Sequence, residues 1–186
     1  WRIDMAEQIL PDLGANENRA DVILPRNIAM PPPGSTLALD LGGKTGWALK
    51  QADGQISSGT IEFKPSRFEG GGMCFLRFKD WLDEITAYAG PVKSIHFEEV
   101  RRHLGTTAGH VYGGFLACLT SWCEARCIPY QGVPVGTIKR HATGKGNAGK
   151  EAVIQAMRAK GHNPADDNEA DALAILHWAI DKGVSS

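Results

Sequence analysis

Apolar and polar positions along the chain fall into short runs of strand length and longer stretches with helical spacing. Residues 36–41 (TLALDL) form a continuous apolar run broken only by Asp40, the pattern of a strand buried on both faces. Gly42-Gly43-Lys44-Thr45-Gly46 forces a tight turn, and residues 47–50 resume as a second strand. Asp53-Gly54 is the strongest hairpin signal in the chain and leads into a third strand near 55–63. These three strands are therefore expected to run antiparallel.

Phe75, Phe78, Leu82, Ile85 and Ala89 then recur at alternating spacings of three and four, predicting an amphipathic helix over 73–89 that Gly90-Pro91 ends. Residues 94–100 (SIHFEEV) read as a fourth strand, 107–126 as a long apolar helix and 127–133 as a short fifth strand. From 132 to 182 the pattern is helical in pieces, interrupted at 144–147 and 161–164. This order predicts an α/β fold, a five-stranded mixed sheet with helices on both faces.

Residues 1–34 differ from the rest. They hold five acids and three arginines and end in Pro31-Pro32-Pro33-Gly34, which favours an extended connector. The stretch is expected to be an extension with one short helix near 5–10, and the domain to occupy 35–184. At 186 residues the chain has room for one sizeable core. The charge-free stretch between Arg102 and Glu124 is too polar to cross a membrane, since it carries His103, Thr106, Thr107, His110 and Thr120. No leader pattern is visible, so a cytoplasmic protein is expected. Cys74, Cys118, Cys123 and Cys127 contain no CxxC pair and read as reduced thiols, not a zinc site.

Charge changes the picture through its placement. The net charge of −1 disfavours nucleic-acid binding by bulk positive charge. Three acids, however, stand where burial is expensive. Asp40 lies within a strand, Glu98 ends one behind Ile95 and Phe97, and Asp171 opens the apolar run Ala172-Leu173-Ala174-Ile175-Leu176. Carboxylates from three elements, without matching His or Cys, suit hard oxygen-seeking cations, Mg²⁺ or Mn²⁺. Two such ions serve phosphodiester displacement. On a helix, Asp167 and Asn168 share the face of Asp171, whereas Asp166 after Pro164 reads as an N-cap. The residues leave open whether Glu99 or Glu169 joins this group.

Between 139 and 160, Lys139, Arg140, Lys145, Lys150, Arg158 and Lys160 face only Glu151. Within that stretch a glycine-rich turn, 143–148, feeds a helix and forms a candidate phosphate site. It lacks the GxxxxGK[ST] pattern, so no nucleotide cofactor is expected. Arg101 and Arg102 add positive charge just after Glu98. His110, Tyr112 and Trp122 fit core or interface packing, and His177 a structural place, better than chemistry.

Taken together, four ordered segments resemble the motifs of RuvC Holliday-junction resolvases, closest to the phage-borne branch. They are Leu39-Asp40-Leu41-Gly42 with Thr45-Gly46, His96-Phe97-Glu98-Glu99-Val100, the lysine- and glycine-rich stretch from Lys139 to Lys150, and Asn168-Glu169-Ala170-Asp171-Ala172-Leu173-Ala174. The resemblance covers about residues 35–180. It implies an RNase H-like fold, a homodimer, and Mg²⁺- or Mn²⁺-dependent cutting of branched DNA. It also implies Asp40, Glu98 and Asp171 as metal ligands, with Lys139 and Lys150 as phosphate contacts or stabilisers of the transition state. Two positions depart from the bacterial pattern. Asn168 replaces an acid or His three residues before the last Asp, leaving Asp167 as a candidate substitute, and Arg101 replaces an aromatic three residues after the Glu. The same acids would serve an RNase H-like nuclease on flaps or RNA–DNA hybrid, or survive in a junction-binding module with weak catalysis. The turn after Asp40 also resembles the phosphate loop of actin-like sugar kinases, but this chain has no room for their second domain.

Overall fold

A computed structural model describes residues 34–100 and 105–183. The expected extension, 1–34, thus falls outside the described residues except for Gly34. In chain order the elements are β1 (Ser35–Asp40), β2 (Lys44–Lys50), β3 (Ile56–Glu62), α1 (Met73–Ala89), β4 (Val92–Glu99), α2 (Thr106–Glu124), β5 (Tyr130–Pro134), α3 (Val135–Thr143), α4 (Lys150–Ala159) and α5 (Asp167–Gly183). They form one mixed sheet in the order β3-β2-β1-β4-β5. The first three strands are antiparallel, and β4 and β5 run parallel to β1.

Side-chain alternation along the strands divides the interior in two. Leu37, Leu39, Leu49, Ile95 and Phe97 pack against α1 and α2, with Phe78, Phe115 and Leu119 wholly buried among them. Ala38, Ala48 and Val133 face the other side, where they meet α3, α4 and α5. Small residues on the inner strands let α5 lie close to the sheet, and most of its length from Ala170 to Ala179 is buried. The tightest approach is at Gly46 of β2. A Cβ there would lie 1.9 Å from the backbone oxygen of Asn168, so only glycine lets the first turn of α5 rest on the strand.

Two expected boundaries shift. β4 begins at Val92, directly after Pro91. The proposed start of β5 at 127 belongs instead to the exit from α2, where Cys127 takes a positive φ of 53°. Gly132, where the expected fifth strand and helical region overlap, is a strand residue whose missing side chain leaves room for the Phe97 ring.

Candidate active site

β1 and β4 are adjacent and parallel, with Leu39 opposite Phe97, so Asp40 and Glu98 end neighbouring strands at the same edge of the sheet. Asp40 is in phase with Ala38 and Glu98 with His96. Ala38 packs in the α5 core and the His96 ring meets Trp178 of α5 edge-on at 6.0 Å. Both carboxylates therefore turn toward α5, where Asp171 lies one turn in from the N-terminus. The three acids of the sequence reading are brought to one place.

Their electrostatics show what that costs. Burial, then the Glu98, Asp171 and Asp167 carboxylates, push Asp40 up to about 8, against the pull of Lys150. Burial and Asp171 push Glu98 up to about 7, with Lys139 opposing. Asp171 is raised by burial, while Lys139 and Lys150 draw it back. Carboxylates that repel one another in a partly buried site favour protons or metal cations over bare charge. Among the described residues no three of His, Cys, Asp and Glu close on a single point as a ready-made cage. The donor set nevertheless fits Mg²⁺ or Mn²⁺. Mg²⁺ commonly takes only one or two carboxylates and completes its shell with water and phosphate.

Neighbouring acids behave differently. Asp166 is the expected N-cap. Its Oδ1 accepts from the Glu169 N–H at 3.0 Å and the Thr60 hydroxyl at 2.7 Å, and its Oδ2 pairs with Lys44 Nζ at 2.9 Å. Glu169 is buried and accepts from Ser58 Oγ at 2.7 Å and the Ala165 N–H at 2.8 Å, so it braces β3 against α5 and stays out of the cluster. Glu99 lies on the opposite face of β4 from Glu98, lining a cavity of about 520 Å³ with Phe97, Gly113 and Leu116. Asp167 is paired with the Lys150 ammonium, which holds its carboxyl below the usual range. Asn168 lies one turn before Asp171, its carbonyl over Gly46.

Of the basic residues, Lys139 on α3 and Lys150 at the start of α4 both act on the acidic cluster. Arg140 lies against Gly146 in the glycine-rich turn, where a Cβ would meet its Nη2 at 3.3 Å. Lys145 is exposed on that turn, its N–H donating to Thr143 Oγ1 at 3.2 Å. Arg101 and Arg102 lie outside the described residues.

Two contributions escaped the sequence reading. The Tyr112 hydroxyl donates to the Glu98 carbonyl at 2.8 Å and accepts from the Val100 N–H at 3.3 Å, so α2 fixes the strand end that carries Glu98. Thr45, wholly buried, closes the turn after Asp40 by donating to the Gly42 carbonyl at 2.7 Å. Spacing could not reveal either contact. Tyr112 is thus more than the packing residue expected of it.

No family model and no curated protein matches this sequence. Solved structures do match in fold. Thermus thermophilus RuvC superposes with a TM-score of 0.63 at 20% identity, covering 80% of this chain and 96% of that one. The same protein in complex with a Holliday junction substrate gives 0.62 at 21% identity, covering 76% and 90%. The yeast mitochondrial Holliday junction resolvase Ydc2 gives 0.54 at 12% identity, covering 77% and 76%. The chain has the RNase H-like α/β fold of these proteins, as its motifs led one to expect.

Proposed function

We propose that this chain is a metal-dependent endonuclease that cuts branched DNA, Holliday junctions among it, by phosphodiester hydrolysis. One observation carries the reading. Asp40, Glu98 and Asp171 converge from three separate elements, partly buried and mutually repelling, with Lys139 and Lys150 beside them. The fold shared with RuvC and Ydc2 supports the choice of substrate.

Asp40 and Asp171 would hold one divalent ion, and Glu98, sharing Asp40, a second. When bound, such ions supply activation of the attacking water and stabilisation of the leaving 3′ oxygen. The chain's own part is positioning. Tyr112 and Thr45 fix the two strand ends, and Gly46 lets the first turn of α5 bring Asp171 over them. Lys150 Nζ, now on Asp167, and Lys139 would meet non-bridging phosphate oxygens and offset charge that grows in the transition state. Arg140, Lys145, Arg101 and Arg102 would track the flanking backbone. A homodimer carries one such site for each strand cut, and the place of action is the cytoplasm, that of the bacterial host if the chain is phage-borne.

Cleavage of a labelled four-way junction in Mg²⁺, run beside flap and RNA–DNA hybrid substrates, tests the reading. Junction cutting by the wild type and none by Asp40→Asn supports it. Preference for hybrid moves the substrate to the RNase H class, and binding without any metal-dependent cutting leaves a junction-binding module.

A further inference from the structure

The most exposed large apolar side chain among the described residues is Phe68, at 93%. It stands in the loop 63–72, which leaves β3 at the edge of the sheet that bears Asp40. Glu62 pairs with Lys44, and the Phe63 N–H donates at 2.8 Å to the carbonyl of Gly43, in the turn that follows Asp40. The loop is anchored. Glu69 Oε2 accepts from the Ser66 N–H at 2.6 Å, and both Glu69 oxygens accept from Arg77 Nη2 at 2.6 and 2.7 Å. Arg77 Nη1 also donates to the Lys64 carbonyl at 2.9 Å, tying the loop to α1.

A braced loop that holds a phenyl ring in water gains nothing from it in the free protein. The ring has a cationic neighbour, the Arg67 guanidinium, 5.9 Å from its centroid. Two residues further along the loop comes Gly70-Gly71-Gly72, where a Cβ would meet nothing within 4 Å and where no residue has a positive φ. Neither packing nor backbone conformation asks for glycine at these positions. Three in a row leave bare main chain in the same loop as the ring, open to close approach from outside the molecule.

An exposed aromatic face, a guanidinium beside it and uncovered backbone are the chemistry that stacks on a nucleic-acid base and admits the phosphodiester attached to it. We propose that Phe68, with Arg67 and the three glycines, forms a stacking platform for a base left unstacked at the branch point of DNA. This rests on the reading of the chain as a branched-DNA nuclease. Duplex arms keep their bases stacked and offer the ring no free face. The preference for branched over linear DNA therefore resides in this loop, and the cutting resides in the carboxylates.

The test uses a four-way junction carrying 2-aminopurine at the branch point or mid-arm, without divalent ions that support cutting. The wild type is expected to change branch-point fluorescence and leave the mid-arm probe alone. Phe68→Ala should lose about tenfold or more in junction affinity together with that signal, with duplex affinity and melting temperature unchanged. Phe68→Trp should keep both. Replacing all three glycines by alanine should weaken junction binding without lowering the melting temperature. A Phe68→Ala protein with wild-type junction affinity and signal overturns this proposal alone. Loss of junction binding that follows only from dissociation into monomers, seen by sedimentation, overturns it in favour of a second copy as the partner of the ring. A wild-type protein with no preference for junction over duplex overturns both this proposal and the choice of branched DNA as the substrate beneath it.

Discussion

Two groups of acids meet around the start of α5 and are treated in opposite ways. Asp166, Asp167 and Glu169 are each matched by the chain's own donors, namely Lys44, Thr60, Lys150, Ser58 and backbone N–H groups. Asp166 and Asp167 are held below the usual carboxylate range as a result. Asp40, Glu98 and Asp171, a turn or a strand away, are raised, first by burial and then by neighbouring carboxylates: Glu98, Asp171 and Asp167 act on Asp40, Asp171 on Glu98 and Asp167 on Asp171. Density of carboxylates is therefore a poor marker of a site. Acids that the fold satisfies hold the fold, and acids left facing one another are those an external cation would satisfy.

The sharpest way to break this comparison is to neutralise one acid from each group. Asp40→Asn or Asp171→Asn should lower junction cleavage by on the order of a hundredfold or more, with folding intact or improved, because each removes a repelling charge. Glu169→Gln should do the reverse, losing about 1–2 kcal/mol of stability in chemical denaturation while the folded fraction cuts at nearly the wild-type rate.

Next in size is Gly46→Ala, which forces a methyl into the Asn168 carbonyl. A loss of about 1–3 kcal/mol in unfolding free energy is expected, with cleavage falling further than stability because Asp171 rides on the displaced turn. Wild-type stability and activity in this variant would show that α5 tolerates a different seat.

The pH dependence of stability follows from the raised group. Below the ordinary values of 3.8 and 4.5, Asp40 and Glu98 are protonated in both folded and unfolded chains and contribute nothing. Between those values and about 8 and 7 the unfolded chain has released protons that the folded chain still holds, so folding grows costlier with rising pH until the folded carboxyls ionise in turn. Melting temperature in chelator should therefore fall as pH rises across this window. Added Mg²⁺ should recover more of it at pH 8 than at pH 5, and Asp40→Asn should flatten the profile. The smallest effect is expected from Tyr112→Phe, about 1 kcal/mol with a reduced cleavage rate.

Much of this was legible in the sequence, and the reasons are particular. Asp40 and Asp171 stand out because an acid inside an apolar run has no cheap bland explanation, and Asp166 because Pro164 precedes it at capping distance. The first two helices follow from apolar periodicity and the strands from short apolar runs, except β3, which follows from the Asp53-Gly54 hairpin signal. What could not be read depends on partners distant in the chain. Helical spacing turns Glu169 away from the face of Asp171, but only the fold supplies what it meets there, the hydroxyl of Ser58, 111 residues away. Tyr112 has helical spacing suited to the core, and only the fold brings its hydroxyl to the end of β4. Cys127 gives no warning of its positive φ, so in the sequence the exit from α2 reads as the start of a strand.

The central claim, that the unsatisfied acids rather than the satisfied ones receive the metal, is tested most directly by a crystal structure soaked in Mn²⁺, with the ions located by anomalous scattering. The account predicts density bounded by the carboxylates of Asp40, Glu98 and Asp171, with Asp166 and Glu169 still on Lys44 and Ser58. Ions bound at Asp166 or Glu169, with none at the three converging acids, would contradict it.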